Sequence, residues 1–284
     1  MFFEKFDWAN PVCIWWVALT AASIMNICVW FWIRLYKFKN VWIKSIFVFR
    51  KNTDAMIWLS FLYVFICAFR SFLPRADVQR IVLFDTWFSS VFVGRTVATI
   101  AELAFIAQWS LLLMLIAQVT KSRWTKAVSV IILVTISIAE ICSWYAVIRT
   151  HYLGNVIEES LWGISYALIM SALILEIPKF KGIMKLNAFF AVVGSALYVL
   201  FMFTVDVPMY FSRLVSDDLS KKNYFGFVQG LIDLNTKWVV TLDINDWKQE
   251  IPWMTLYFTF AVLVSLALCL VPLTPEGWKK HLKN

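Results

Sequence analysis

Seven long apolar runs constrain this chain more than anything else in it. They lie at about residues 11–36, 55–73, 87–118, 127–149, 156–178, 186–205 and 252–272. About twenty apolar residues coiled as a helix cross the ~30 Å hydrocarbon core of a bilayer, whereas a barrel strand needs only about ten. That core holds no water to satisfy backbone N–H and C=O groups, so a spanning segment must satisfy them within itself. The sequence therefore predicts an all-α integral membrane protein, a seven-transmembrane-helix bundle forming one domain over residues 1–284. Composition rules out the soluble alternative. The chain is 61% hydrophobic and 15% charged, against roughly half and a quarter in soluble domains. Its sixteen Trp and twenty-five Phe suit residues that anchor spans at the lipid–water boundary.

The first run does not read as a cleavable signal. It is too long, lacks a small-residue cleavage site, and is preceded by Lys5 against Glu4 and Asp7. Positive charge follows it instead, at Arg34, Lys37, Lys39, Lys44, Arg50 and Lys51. The same side of the membrane receives Lys121, Arg123, Lys126, Lys179, Lys181, Lys185, Lys279, Lys280 and Lys283. Those fifteen face six on the other side (Lys5, Arg70, Arg75, Arg80, Arg95 and Arg149) when the long 206–251 connection is left out. Cytoplasmic loops hold the excess of Lys and Arg, so the N-terminus is expected outside and the C-terminus in the cytoplasm. The same distribution explains the net charge of +8 without nucleic acid as a partner.

The connection between spans six and seven mixes aromatic, β-branched and acidic residues, as in "NYFGFVQGLIDL" and "TKWVVTLDINDW". A disordered linker is poorer in such residues. The expectation is a long folded outer loop, a cap or interfacial helix over the spans. All seven prolines fall at span ends or in connections, and "DVPMYFSR" (206–213) reads as a helix end, with Pro208 breaking the sixth span. Uninterrupted spans argue against a transporter with discontinuous helices.

Charges inside the greasy runs are the functional signal. "GRTVATIAELAFIAQWS" (94–110) puts Arg95, Thr99 and Glu102 on one helical face, and Gly94, Ala98, Ala101 and Gln108 on an adjoining face suited to a close neighbouring helix. Glu140 falls at a similar depth on span four. Arg70, Asp206 and, in the following loop, Arg213 lie toward the same side. A charge at mid-membrane costs at least about 2.5–3.5 kcal/mol, so such groups pair, face the bundle, or line a wet cavity. The candidate binding residues are thus Arg70, Arg95, Thr99, Glu102, Glu140, Asp206 and Arg213. The competing explanation is a structural ion pair that fixes helix register. Asn26 with Ala18 and Ala22 reads as a packing face, Trp15, Trp16, Trp30 and Trp32 as interface anchors and lipid contacts, and Glu176 with Lys179 as a surface pair.

Much chemistry is excluded. The two histidines, His151 and His281, fall on opposite sides, which removes paired-His haem ligation and a His-rich metal centre. The final span has no lysine for a Schiff base, and no nucleophile elbow or Gly-rich phosphate loop occurs. The five cysteines (Cys13, Cys28, Cys67, Cys142 and Cys269) lie within spans with no CxxC spacing, so neither disulfides nor a thiolate metal site is expected. The sequence calls for no cofactor and no metal; the one metal alternative it leaves is a carboxylate-only site on Glu102, Glu140 and Asp206, which the nearby arginines oppose electrostatically. The leading function is binding, sensing or translocating a small ion or polar-headed molecule through an outward-facing charged intramembrane pocket, with the lipid bilayer as partner and a small anionic or polar ligand. Two alternatives fit the same residues. One is an accessory or scaffold subunit of a larger membrane complex, or a homo-oligomer. The other is an intramembrane enzyme acting on an outer-leaflet lipid headgroup through Glu102 and Glu140, which the lack of a nucleophile or histidine base disfavours.

Overall fold

The computed structural model describes residues 7–38, 51–272 and 274–283. Of the charged residues used above for orientation, Glu4, Lys5, Lys39, Lys44 and Arg50 lie outside the described residues. Among those described, seven helices are long and apolar enough to cross a membrane: Pro11–Tyr36, Asp54–Phe72, Val91–Thr120, Arg123–Arg149, Leu153–Lys179, Gly182–Leu219 and Ile251–Leu268. The architecture is that of an all-α, multi-pass membrane protein.

The elements in chain order are α1 (Pro11–Phe38), α2 (Lys51–Phe72), β1 (Arg75–Ala76), β2 (Ile81–Val82), α3 (Val91–Thr120), α4 (Arg123–Arg149), α5 (Leu153–Glu176), α6 (Gly182–Phe201), α7 (Val207–Leu219), α8 (Phe227–Thr236), β3 (Val239–Val240), α9 (Ile244–Trp247), α10 (Ile251–Leu256), α11 (Val262–Leu268) and α12 (Pro275–Lys279). They group into two compact units. The first comprises the residues up to Phe105 together with Phe227–Leu270, and the second comprises Ile106–Gly226 with the residues from Val271 onward.

In the first unit α1 packs on α2. Its buried stripe is Val12, Leu19, Ser23, Asn26, Trp30 and Ile33, recurring at the three-, four- and seven-residue spacing of one helical face. The expected face through Ala18 and Ala22 is rotated away: Ala18 is exposed and Ala22 half-buried. Three tryptophans tie α1 to its neighbours. Trp15 donates its indole N–H to Thr255 Oγ1 at 3.0 Å, Trp16 to the Phe72 carbonyl at 3.1 Å, and Trp30 to the Ile57 carbonyl at 3.4 Å. Trp32 is the exposed one.

After Pro74 the chain forms a small sheet. β1 pairs antiparallel with β2 (Arg75 opposite Val82), and β2 pairs parallel with β3 (Ile81 opposite Val239). Arg80 closes the β1–β2 turn with a positive φ of 60°. Its guanidinium bonds Asp233 of α8 at 2.7 Å, which ties the 227–250 segment to this sheet. That segment is folded, as its composition implied: α8, β3 and α9 occupy most of it.

In the second unit α4 packs on α5 and α5 on α6. Glu176 is fully buried, not at the surface. Lys179 reaches its Oε2 at 3.0 Å, and Thr125 Oγ1 donates to its Oε1 at 2.7 Å, linking the start of α4 to the end of α5. The sixth helix corrects a second expectation. Pro208 does not end it; the helix continues through Met202–Asp206, a π-turn, into α7. A proline lacks the N–H that an α-turn needs and clashes with the carbonyl four residues back. The wider π-turn shifts the hydrogen-bond register immediately ahead of Pro208, so the helix passes it unbroken. The last helix carries the same device at Tyr257–Ala261, between α10 and α11.

Candidate functional site

The charged centre of the first unit is assembled from three helices. α2 ends in a turn that contains Arg70. α3 contributes Arg95 in its second turn and Glu102 seven residues on, which returns it to the same face. The π-turn of the last helix contributes Tyr257. Arg95 Nη2 donates to Glu102 Oε2 at 2.8 Å, Tyr257 Oη donates to Oε1 at 3.1 Å, and Arg70 Nη1 stands 3.7 Å from Oε1. Two guanidiniums and a phenol therefore converge on one carboxylate. All three charged residues are buried, with 4%, 6% and 6% exposure for Arg70, Arg95 and Glu102.

Aromatic rings form the walls. Arg70 lies over the faces of Tyr257 and Phe258, 5.6 and 5.3 Å from their centroids. Cation–π contact contributes about 2 kcal/mol or more when desolvated. Tyr63 stacks on Phe105 at 4.4 Å and meets Tyr257 edge-on at 5.9 Å. The π-turn also loosens the local backbone pattern, and the Phe258 carbonyl within it accepts from the Asn26 amide at 3.3 Å. π-turns inside helices concentrate at functional sites, and this one holds both rings that face Arg70.

A third arginine extends the cluster. Arg75 of β1 is 2% exposed. Its Nη1 donates to the Phe88 and Ser90 carbonyls at 3.2 and 3.3 Å, and its Nε lies 3.6 Å from Asp77 Oδ1. Burial draws this guanidinium down to about 9, with Arg70 and Arg95 pushing the same way and Asp77 opposing. The guanidinium lies where the side chain of residue 94 would be. A Cβ on Gly94 would fall 1.7 Å from Arg75 Nε and 1.8 Å from Cζ. The small-residue face of α3 thus admits a guanidinium at Gly94 and is buried at Ala98, Ala101 and Gln108.

The sequence-predicted residues divide between the units. Arg70, Arg95 and Glu102 meet as described, and Thr99 is half-buried on the same face of α3. Glu140, Asp206 and Arg213 belong to the second unit. There Glu140 is buried on α4, with a carboxylate oxygen within 4.8 Å of one from Glu158 on α5, oxygen donors of the kind a hard cation takes. Asp206 is buried in the π-turn of the sixth helix. Arg213 lies over Tyr152 and Tyr210 at 5.7 and 5.4 Å. Beside them Lys222 bonds Asp217 at 2.7 Å, and His151 stacks on Tyr224 at 4.0 Å. Burial lowers the His151 pKa, with the Asp218 carboxylate opposing.

Compared with family models, characterised proteins and solved structures, the chain matches none. Function is therefore argued from the site alone. Arg75 and Tyr257 are the residues that sequence reasoning missed. The one available signal for Arg75 was a basic residue directly after the proline that closes a span. Tyr257, an ordinary aromatic in a run rich in them, gave none.

Proposed function

We propose that this membrane protein binds, senses or translocates a small ion or polar-headed molecule through a charged pocket built on Arg70, Arg95 and Glu102. The arginines hold its anionic part. The pocket faces outward, with the N-terminus outside and the C-terminus cytoplasmic. The fifteen-to-six excess of Lys and Arg supports that orientation. Arg70 ends α2 and Arg95 begins α3, so both lie toward the side of the N-terminus.

One observation carries the reading. Arg70 is 4% exposed, yet its Nη1 has no hydrogen-bond acceptor among the described residues; its nearest anion is Glu102 at 3.7 Å. A buried donor left unsatisfied costs about 1–3 kcal/mol, more when charged. A pair kept only for helix register would be better served by a full bond. A guanidinium held beside a carboxylate without bonding it is suited to an arriving anion.

Purified protein in nanodiscs, titrated with inorganic phosphate and with chloride, tests this through the thermal unfolding midpoint. A ligand at a hundred times its Kd adds about 2.7 kcal/mol to stability. The wild type is expected to gain stability with at least one anion, and Arg70→Gln to lose that gain. Equal gains in both proteins, or none in either, leave the cluster a structural ion pair.

A further inference from the structure

Arg75 is the one arginine of the cluster whose bonding geometry specifies a shape of ligand. Its Nη1 is occupied by two backbone carbonyls. Its Nε and Nη2, which share one edge of the guanidinium, are buried with no hydrogen-bond acceptor among the described residues. The missing Cβ of Gly94 would stand nearly equidistant from Nε and Cζ, at 1.7 and 1.8 Å, but 2.4 Å from Nη2. That position lies over the flat face of the group, not in its plane. Gly94 is therefore a platform beneath the guanidinium and does not itself occupy the Nε–Nη2 edge. Two parallel N–H groups on that edge match two oxygens of a carboxylate or phosphate.

Asp77 narrows the choice. Its Oδ1 lies 3.6 Å from Arg75 Nε, too far to bond, and is itself buried without a hydrogen-bond partner. A bare oxyanion on the fork would be repelled by this carboxylate. An oxyanion that also carries a hydroxyl would donate to it. Resting on the anion-binding reading above, we propose that Arg75 and Asp77 form the specificity element of the site, selecting a protonated phosphate group with two oxygens on the Arg75 edge and its P–OH on Asp77. The lowered proton affinity of Arg75 is consistent with a cation whose burial Asp77 offsets only in part.

The probes are inorganic phosphate, sulfate and chloride, measured by calorimetry on the full chain in phosphatidylcholine nanodiscs. Sulfate has the same shape but no hydroxyl at neutral pH. Wild type is expected to prefer phosphate over sulfate by roughly tenfold or more, the scale of one charge-assisted hydrogen bond against an unpaired buried acceptor. Arg75→Lys, which keeps the charge and loses the fork, should weaken phosphate by roughly tenfold while leaving chloride unchanged. Gly94→Ala should weaken phosphate too, by displacing the guanidinium, and Asp77→Asn should narrow the gap between phosphate and sulfate. Equal affinity for phosphate and sulfate in the wild type, or a lysine variant that binds phosphate normally, overturns the proposal. If that lysine variant binds normally while Arg70→Gln does not, the fork fails and the broader reading stands. The reverse pattern sinks the Arg70–Glu102 reading and keeps the fork. Should the Arg75 variants not fold, a structure of wild-type protein with arsenate, which keeps a hydroxyl at neutral pH as phosphate does, decides: density on the Nε–Nη2 edge supports the proposal and density elsewhere or nowhere rejects it. Repeating the titration in nanodiscs containing phosphatidic acid identifies the source, since a lipid phosphate monoester competes with free phosphate and a site reserved for the free ion is indifferent to it.

Discussion

Glu102 is the residue on which the charged centre depends, because Arg70, Arg95 and Tyr257 all address its carboxylate. Removing one partner of a buried ion pair costs about 3–5 kcal/mol, since the other charge is left uncompensated. Glu102→Gln should therefore lower the unfolding midpoint far more than Tyr257→Phe. The latter loses one hydrogen bond to a charged acceptor, about 1.5–3 kcal/mol, and keeps the ring over Arg70. Equal effects would mean that the phenol, not the ion pair, holds the centre. Arg75 gives a pH dependence of definite sign. With its proton affinity drawn down to about 9 from 12.5, the anion affinity of the site should fall as pH rises through about 9. Stability moves the other way across that window, because the unfolded chain keeps the proton that the native state has released. Anion binding that stays flat from pH 7 to 11, in calorimetry, would remove Arg75 from the site. At this scale the sequence was half legible. A seven-residue spacing returns a helix to the same face, so the Arg95–Glu102 pair could be read directly. Tyr257 reaches Glu102 from 155 positions away, and no local pattern reports such a contact. Arg75 sits in a connection, where a charge ordinarily means solvent.

Helix positions were readable because burying an apolar run in lipid leaves little choice of structure. What the runs hid is how helices negotiate local obstacles. Pro208 looked like a terminator, since the α-turn it forbids is visible in sequence and the π-turn that avoids it is not. The glycines show the same limit. Adding a Cβ at Gly154 brings it 2.4 Å from the Cys142 carbonyl and 2.8 Å from the Ala146 amide nitrogen, both backbone atoms of α4. At Gly163 it meets the rim of the Phe203 ring at 2.7 Å, and Phe203 is exposed enough to swing aside. Gly154→Ala should thus force α4 and α5 apart and cost about 1–3 kcal/mol, the usual penalty for overpacking. Gly163→Ala should cost far less, since adding Cβ to a helical glycine recovers about 1 kcal/mol of propensity. Thermal unfolding of the two variants checks the order; a costlier Gly163→Ala would show that Phe203 is pinned.

Across the whole chain, sequence order and spatial grouping part company. The first unit joins the N-terminal helices to Phe227–Leu270, passing over more than a hundred intervening residues, and the Arg80–Asp233 and Tyr257–Glu102 contacts are two of its ties. Such long-range pairing leaves no periodic mark, which explains why spans could be counted in the sequence and their grouping could not. Orientation is an expectation that rests on charge, and it is testable without any structure. The described short connections and adjoining helix ends on one side hold Lys121, Arg123, Lys126, Lys179, Lys181 and Lys185, and those on the other hold Arg75, Arg80 and Arg149. Retention of Lys and Arg in the cytoplasm should place the start of α1 outside and α12 inside. The chain has no Asn-x-Ser/Thr acceptor of its own, so glycosylation of an engineered one is an unambiguous report. Expressed in a eukaryotic host, an acceptor tag ahead of α1 should be glycosylated and one after α12 should not. Neutralising Lys121, Arg123 and Lys126 together should weaken that preference, because the short connection before α4 would then hold back no charge. The opposite labelling pattern would turn the Arg70–Arg95–Glu102 centre toward the cytoplasm, and its ligand would have to be sought there.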